Sequence, residues 1–152
     1  MKNTKTPLKI ILLSLAVFFI AFTLSNCVTE TASPSGNDRS LGDILTDGSW
    51  EQYDYLVNDT SKWDDIGACY KDDYNTYEPN GEFIYDNGAL KCYPTDSQTY
   101  KGHWSFSNNE QEFVSTLLGG PDTSQIQTLT ETNFILRKNS YGKSYEIRYR
   151  KK

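Results

Sequence analysis

The chain has 152 residues and carries 15 Lys and Arg against 20 Asp and Glu, a net charge of −5. An acidic surface of this kind repels phosphate backbones and anionic headgroups, which argues against nucleic acid and against charge-driven lipid binding. One histidine and no Cys-x-x-Cys pair argue against zinc, and no other cofactor is implied.

The first 26 residues differ from the rest. Lys2, Lys5 and Lys9 form a positive head, and an apolar run follows from Ile10 to Leu24. At about 15 residues the run is shorter than the roughly 20 that a permanent membrane helix needs, so it reads as a cleaved secretory signal. It ends in Leu24-Ser25-Asn26-Cys27, which resembles the lipobox of bacterial lipoproteins, although Asn26 stands where Gly, Ala or Ser is usual. The resemblance implies cleavage before Cys27 and lipid on its thiol. Acyl chains contribute about 0.8 kcal/mol per buried methylene, enough together to hold a protein on a bilayer. Three lysines and no acid leave with the leader, so the net charge of −5 deepens to about −8. Lipid rather than charge then provides the membrane contact.

Residues 27–47 are rich in Thr, Ser, Gly, Asn and Asp and read as a lipidated tether. Within them Leu41, Ile44 and Leu45 form either one helical turn capping the domain or a sticky piece of linker, with the cap preferred. Residues 48–152 make one domain with one core. Short aromatic and β-branched runs broken by Asn-Gly and Gly-Gly-Pro predict antiparallel strands at 49–57, 73–78, 81–86, 99–107, 112–117, 125–130, 134–138 and 144–150. Thr99 to Ser107 puts Tyr100, Gly102, Trp104 and Phe106 on one side. Ser144 to Arg150 alternates Tyr145, Ile147 and Tyr149 with Glu146, Arg148 and Arg150, which predicts one buried and one wet face. No stretch holds a helical period over three turns. The fold class is all-β, a small antiparallel up-and-down barrel or a sandwich of about eight strands.

In an exported protein Cys69 and Cys92 are expected to form a disulfide, worth roughly 3 kcal/mol in the chain-entropy model, with free thiols the alternative. Asp64, Asp65, Asp72 and Asp73 gather acid near one barrel rim. They match no calcium loop, so they read as solvated or strand-starting residues, with Lys71 and Lys91 pairing with nearby acids. His103 points outward from its strand and has no Ser or Cys signature beside it. No catalytic residue and no metal ligand is assigned, and an enzyme is not expected.

The residues around the two cysteines carry a further resemblance. Asp65, Cys69-Tyr70-Lys71-Asp72-Asp73, Asn80 to Gly88, Lys91 to Asp96, Gly102-His103-Trp104 and Leu129-Thr130 together resemble the lipocalin-like domains of secreted bacterial lipoproteins, from about Gly48 to Tyr149. Gly48-Ser49-Trp50 resembles the Gly-x-Trp of the first lipocalin strand, where Trp closes the barrel base. The resemblance implies an eight-stranded barrel and, from lipocalins proper, a small apolar ligand inside it. Eleven Tyr, seven Phe and three Trp either fill that barrel or line it, and the short chain favours filling.

Two functions follow as expectations. One is a noncatalytic, lipid-anchored binding protein of the cell envelope, outside the cytoplasm and on the outer membrane. Its apolar ligand would enter the mouth between Trp50, Tyr85, Trp104 and Phe134. The other is a solid barrel whose loops and tyrosines, among them Tyr53, Tyr70, Tyr74 and Tyr77, contact an envelope protein or a glycan.

Overall fold

The computed structural model describes residues 39–117 and 119–152. The leader, Cys27 and the tether as far as residue 38 lie outside the described residues. A short helix, α1 (Leu41–Thr46), precedes nine strands: β1 (Ser49–Val57), β2 (Thr60–Ser61), β3 (Tyr74–Tyr77), β4 (Glu82–Asp86), β5 (Thr99–Ser107), β6 (Glu112–Thr116), β7 (Asp122–Leu129), β8 (Asn133–Ser140) and β9 (Lys143–Lys151). They pair antiparallel in the order β2-β1-β3-β4-β5-β6-β7-β8-β9, and β1 also pairs with β9. Eight strands therefore close an up-and-down barrel, as the strand pattern predicts. Closure removes free edges along most of the sheet.

Turn chemistry fixes the connections. Asn58 and Asp59 both have positive φ, 49° and 60°, and join β1 to β2 in two residues; Tyr141 and Gly142 do the same for β8 and β9 at 49° and 72°. Two-residue hairpins need left-handed backbone at both positions because only that twist matches the strands. The β5–β6 turn uses Asn108, Asn109 and Glu110, again all at positive φ. Asn accepts that conformation through its own local hydrogen bonds.

The barrel has two unlike ends. Helix α1, the β3–β4, β5–β6 and β7–β8 turns and the chain's last residues form the base. The β1–β2, β4–β5, β6–β7 and β8–β9 connections form the mouth. Ser40 caps α1: its Oγ accepts from Asp43 N at 3.1 Å, and Asp43 Oδ2 accepts from Ser40 N at 3.1 Å. Leu45 is wholly buried, so the folded unit reaches N-terminally past Gly48 as far as Arg39. Trp50 is equally buried, and its Nε1 donates to Leu45 O at 2.8 Å, which satisfies the indole's polar atom inside the core.

Above this cap lies a layer of rings. Phe134 packs edge-on to Trp50 at 5.9 Å, Phe113 at 5.2 Å and Tyr77 at 6.2 Å, and stacks on Tyr149 at 5.7 Å. Phe113 extends the layer to Trp104 and Phe106, each at 6.3 Å. Such pairs add about 0.5–1.5 kcal/mol each beyond the area they bury.

Two features differ from the predicted alternation. Glu146, expected on the wet face of β9, is only 9% exposed, because Arg148 Nε at 2.7 Å and Arg137 Nε at 3.3 Å close over it. The β6–β7 connection is also shorter than predicted, since β7 begins at Asp122 rather than Gln125. The polar sequence Asp-Thr-Ser pairs with β6 through backbone bonds that need no apolar side chain.

Gly102 on β5 is a close-approach position. A Cβ there would sit 2.3 Å from Thr116 O and 2.4 Å from Phe83 Cε1. Gly102→Ala is expected to lower stability by about 1–3 kcal/mol, seen as a lower urea midpoint with an unchanged slope.

Candidate functional site

The inward positions change character along each strand. On β1, Trp50 at the base is followed by Gln52; on β3, buried Tyr77 faces the base and Asn75 the mouth. On β6, Phe113 is followed by Ser115, and on β7 Ser124 stands on the mouth side of Ile126. Large rings thus fill the lower barrel, and small polar side chains leave the upper barrel open. A cavity of about 420 Å³ lies there, with Tyr77, Phe83, Phe113 and Leu136 of the core cluster as its floor. Ile147, Tyr149 and Tyr85 line its wall, and Gln52, Asn75, Ser115 and Ser124 carry the polar groups. The volume lies within the roughly 300–1,000 Å³ of small-molecule sites.

The barrel wall opens beside β1. This strand pairs with β3 only over Ser49 to Glu51; further up, its partner on that side is the two-residue β2. The segment between β2 and β3 fills the divergence with two 3₁₀ turns, Trp63–Asp65 and Ala68–Tyr70, and gives Ile66, Tyr70 and Asp73 to the cavity. The Cys69–Cys92 disulfide, with Cα atoms 5.1 Å apart, ties this segment to the long β4–β5 loop. Asp72 adds a second tie: its Oδ2 accepts from Ala89 N at 2.6 Å and Leu90 N at 3.0 Å. Gly88 is required there, since it has a φ of +57° and a Cβ would fall 2.5 Å from Asp72 O.

Asp73 is the unusual member of the wall. It is 5% exposed, its Oδ2 accepts from the Tyr85 hydroxyl, and its Oδ1 is buried with no partner. Desolvation by burial pushes its carboxyl above the usual carboxylate range; the Tyr85 bond opposes this, and the charges of Asp72 and Asp86 add to it. Burial likewise raises the Tyr85 hydroxyl, with Asp73 contributing, and pushes Tyr149 up to about 12.

Of the four residues expected at the mouth, only Tyr85 lines the cavity. Trp50 and Phe134 are wholly buried in the base, and Trp104 packs against the same core with Nε1 donating to Glu78 O at 3.1 Å. The implied role of Trp50 at the base and its expected place at the mouth conflict, and the base is where it sits. The barrel is solid only in that lower half, which corrects the preference for a filled interior. Tyr77, expected as a contact tyrosine, is core; Tyr70 is about half exposed at the mouth.

The acids near the rim do not share one role. Asp64 and Asp65 are exposed, Asp72 docks a loop and Asp73 enters the wall. Lys71 lies over the Trp63 ring at 5.3 Å and Lys91 Nζ donates to Asp96 O at 3.0 Å, so neither pairs with a carboxylate as expected. His103 is exposed on β5. Among the described residues, no group of three or more His, Cys, Asp or Glu is placed to hold a metal ion.

The class these features define is a closed eight-stranded antiparallel up-and-down barrel, capped by a helix at one end and hollow toward the other. Two solved structures are similar in fold. One is described as a lipocalin-like protein from Bacteroides uniformis ATCC 8492, at 18% identity over 71% of this chain and 99% of that one, with a TM-score of 0.49. The other is a DUF4847 family protein from Bacteroides vulgatus ATCC 8482, at 11% identity over 73% of this chain and 96% of that one, also at 0.49. No family model and no curated protein matches the chain. The barrel assignment rests on the strand order.

The Asp73 environment has a pH signature. Because its folded carboxyl is raised, the unfolded chain gives up this proton first as pH rises, and the folded state loses stability until the folded group also ionises. Asp73→Asn removes that loss. Its melting temperature is expected to exceed the parent's at pH 7, with the gain shrinking toward about pH 3, where both states hold the proton.

Proposed function

We propose that this protein is a noncatalytic binding protein of the bacterial cell envelope, anchored by lipid on Cys27 and holding one small molecule in the upper barrel. The observation that carries the reading is the cavity of about 420 Å³, floored by aromatic rings and rimmed by polar side chains. A mostly apolar pocket with a few convergent polar groups is the usual form of a small-molecule site. The disulfide and the Asp72 bonds support it further, since they hold the mouth loops in one arrangement without a ligand and so reduce the ordering cost of binding. The described chain enters the barrel at its base, opposite the mouth.

A second reading has its own observation. Tyr70, Leu90, Tyr93 and Tyr141 are exposed, and all four lie in mouth-end loops. An envelope protein or a glycan would then contact the mouth, with the cavity beneath it.

Titration with N-phenyl-1-naphthylamine, a neutral apolar fluorophore, tests the cavity. The expected result is saturable binding at one site, lost in Ser124→Trp, whose indole fills the upper barrel, while far-ultraviolet circular dichroism stays unchanged. Unaltered binding in that variant, or none in the parent, overturns the small-molecule reading. For the anchor, Cys27→Ser is expected to move the protein from the membrane to the soluble fraction of cells, and mass spectrometry of the parent to show a diacylglyceryl cysteine as the first residue.

A further inference from the structure

The upper barrel has one charge sign. Among the residues that line it are two carboxylates, Asp73 and Asp122, and no Lys, Arg or His. The two acids differ in what they lack. Asp122 is exposed at the rim and already paired, with Lys138 Nζ 2.6 Å from its Oδ2. Asp73 is 95% buried by its 5% exposure, bonded through one oxygen to Tyr85, and its other oxygen finds no donor. A buried carboxylate oxygen without a partner is costly, because the water it has lost is not replaced. The barrel has not removed this cost by placing a cation there: Lys71 is held over Trp63 and Lys152 over Tyr74, at 3.5 Å from that ring.

We propose that the cavity takes a cationic amine with an apolar body, and that Asp73 is the residue that binds its ammonium group. This deepens the small-molecule reading and rests on it. The Asp73 carboxylate in the wall accepts from the ammonium, and the aromatic floor holds the hydrocarbon part. Tyr85, Tyr77 and Phe83 in the lining add aromatic rings, whose faces carry the negative end of the ring quadrupole and favour a cation over an anion. The same wall rejects carboxylates. A fatty acid or another anion would bring a second negative charge beside Asp73 with no cation in the lining to meet it. Tyr85 has a positioning role, since its hydroxyl holds one oxygen of the Asp73 carboxylate in the cavity wall.

Three probes with one ring system separate the terms: 1-naphthylmethylamine, 1-naphthalenemethanol and 1-naphthaleneacetate, each competed against N-phenyl-1-naphthylamine on the purified protein at pH 7. The amine is expected to bind about tenfold or more tighter than the alcohol, in line with a charge-assisted hydrogen bond, and the carboxylate most weakly. In Asp73→Asn the amine is expected to fall to the level of the alcohol, while the alcohol changes less than about threefold. Asp64→Asn, which removes an exposed acid that does not line the cavity, should keep the preference for the amine, and so controls for the loss of one negative charge. Equal or tighter binding of the alcohol or the carboxylate overturns the proposal, as does an amine preference that persists in Asp73→Asn. Those results leave the cavity reading standing, whereas failure of the neutral fluorophore itself to bind overturns both.

Discussion

The ring of contacts around Phe134 is the constraint on which the rest of the molecule depends. A barrel of eight strands leaves an interior just wide enough for side chains, and something must fill one end if the other is to stay open. Phe134 meets Trp50, Phe113, Tyr77 and Tyr149, which come from four other strands, and Trp50 in turn is fastened through its indole N–H to the carbonyl of Leu45 in the capping helix. The base is therefore one cross-braced plug in which every strand wall has a rigid neighbour. The mutual contacts of these buried rings support the under-filled polar layer above them.

The upper barrel shows the opposite economy of contacts. Gln52, Asn75, Ser115 and Ser124 occupy inward positions that a purely structural barrel would give to Val, Leu or Phe, and Asp73 stands buried with half of its carboxylate unsatisfied. Stability is lower for these choices. These departures from packing and polar satisfaction gather around one cavity, the pattern expected where a residue is kept for function rather than for stability. Around them the disulfide, the paired amides on Asp72 and the positive-φ Gly88 hold the loops still.

Much of the architecture was legible in the sequence. The two-residue period of Tyr145, Ile147 and Tyr149, the spacing of Tyr100, Gly102, Trp104 and Phe106, and the Asn-Gly breaks carry local information, and the strands they predict are present within a few residues. The pairing of Cys69 with Cys92 was legible too. The two-layer interior was also written there, as a ring followed two positions later by a small polar residue in Trp50-x-Gln52 and Phe113-x-Ser115, but it has meaning only once strand direction is known. From sequence alone Trp104 and Phe134 read as mouth residues, because an aromatic on an inward face looks the same at either end of a strand. Asp73 was not separable from Asp72 by any local signal. One residue's shift along the chain turns Asp72 to a loop's amides and Asp73 into the wall, and the turn depends on the tertiary path between β2 and β3. Glu146 is a similar case, buried on an outer face by arginines from its own strand and its neighbour.

The central claim is a barrel divided into a closed lower half and an open, ligand-accessible upper half. Methyl-resolved NMR of the protein during addition of the neutral naphthylamine reads both halves at once. The account predicts shifts at Ile66, Leu117 and Ile147, which line the cavity, and none at Leu45 under the base or at exposed Leu90. Shifts at Leu45, or shifts confined to Leu90 and its loop, would contradict it.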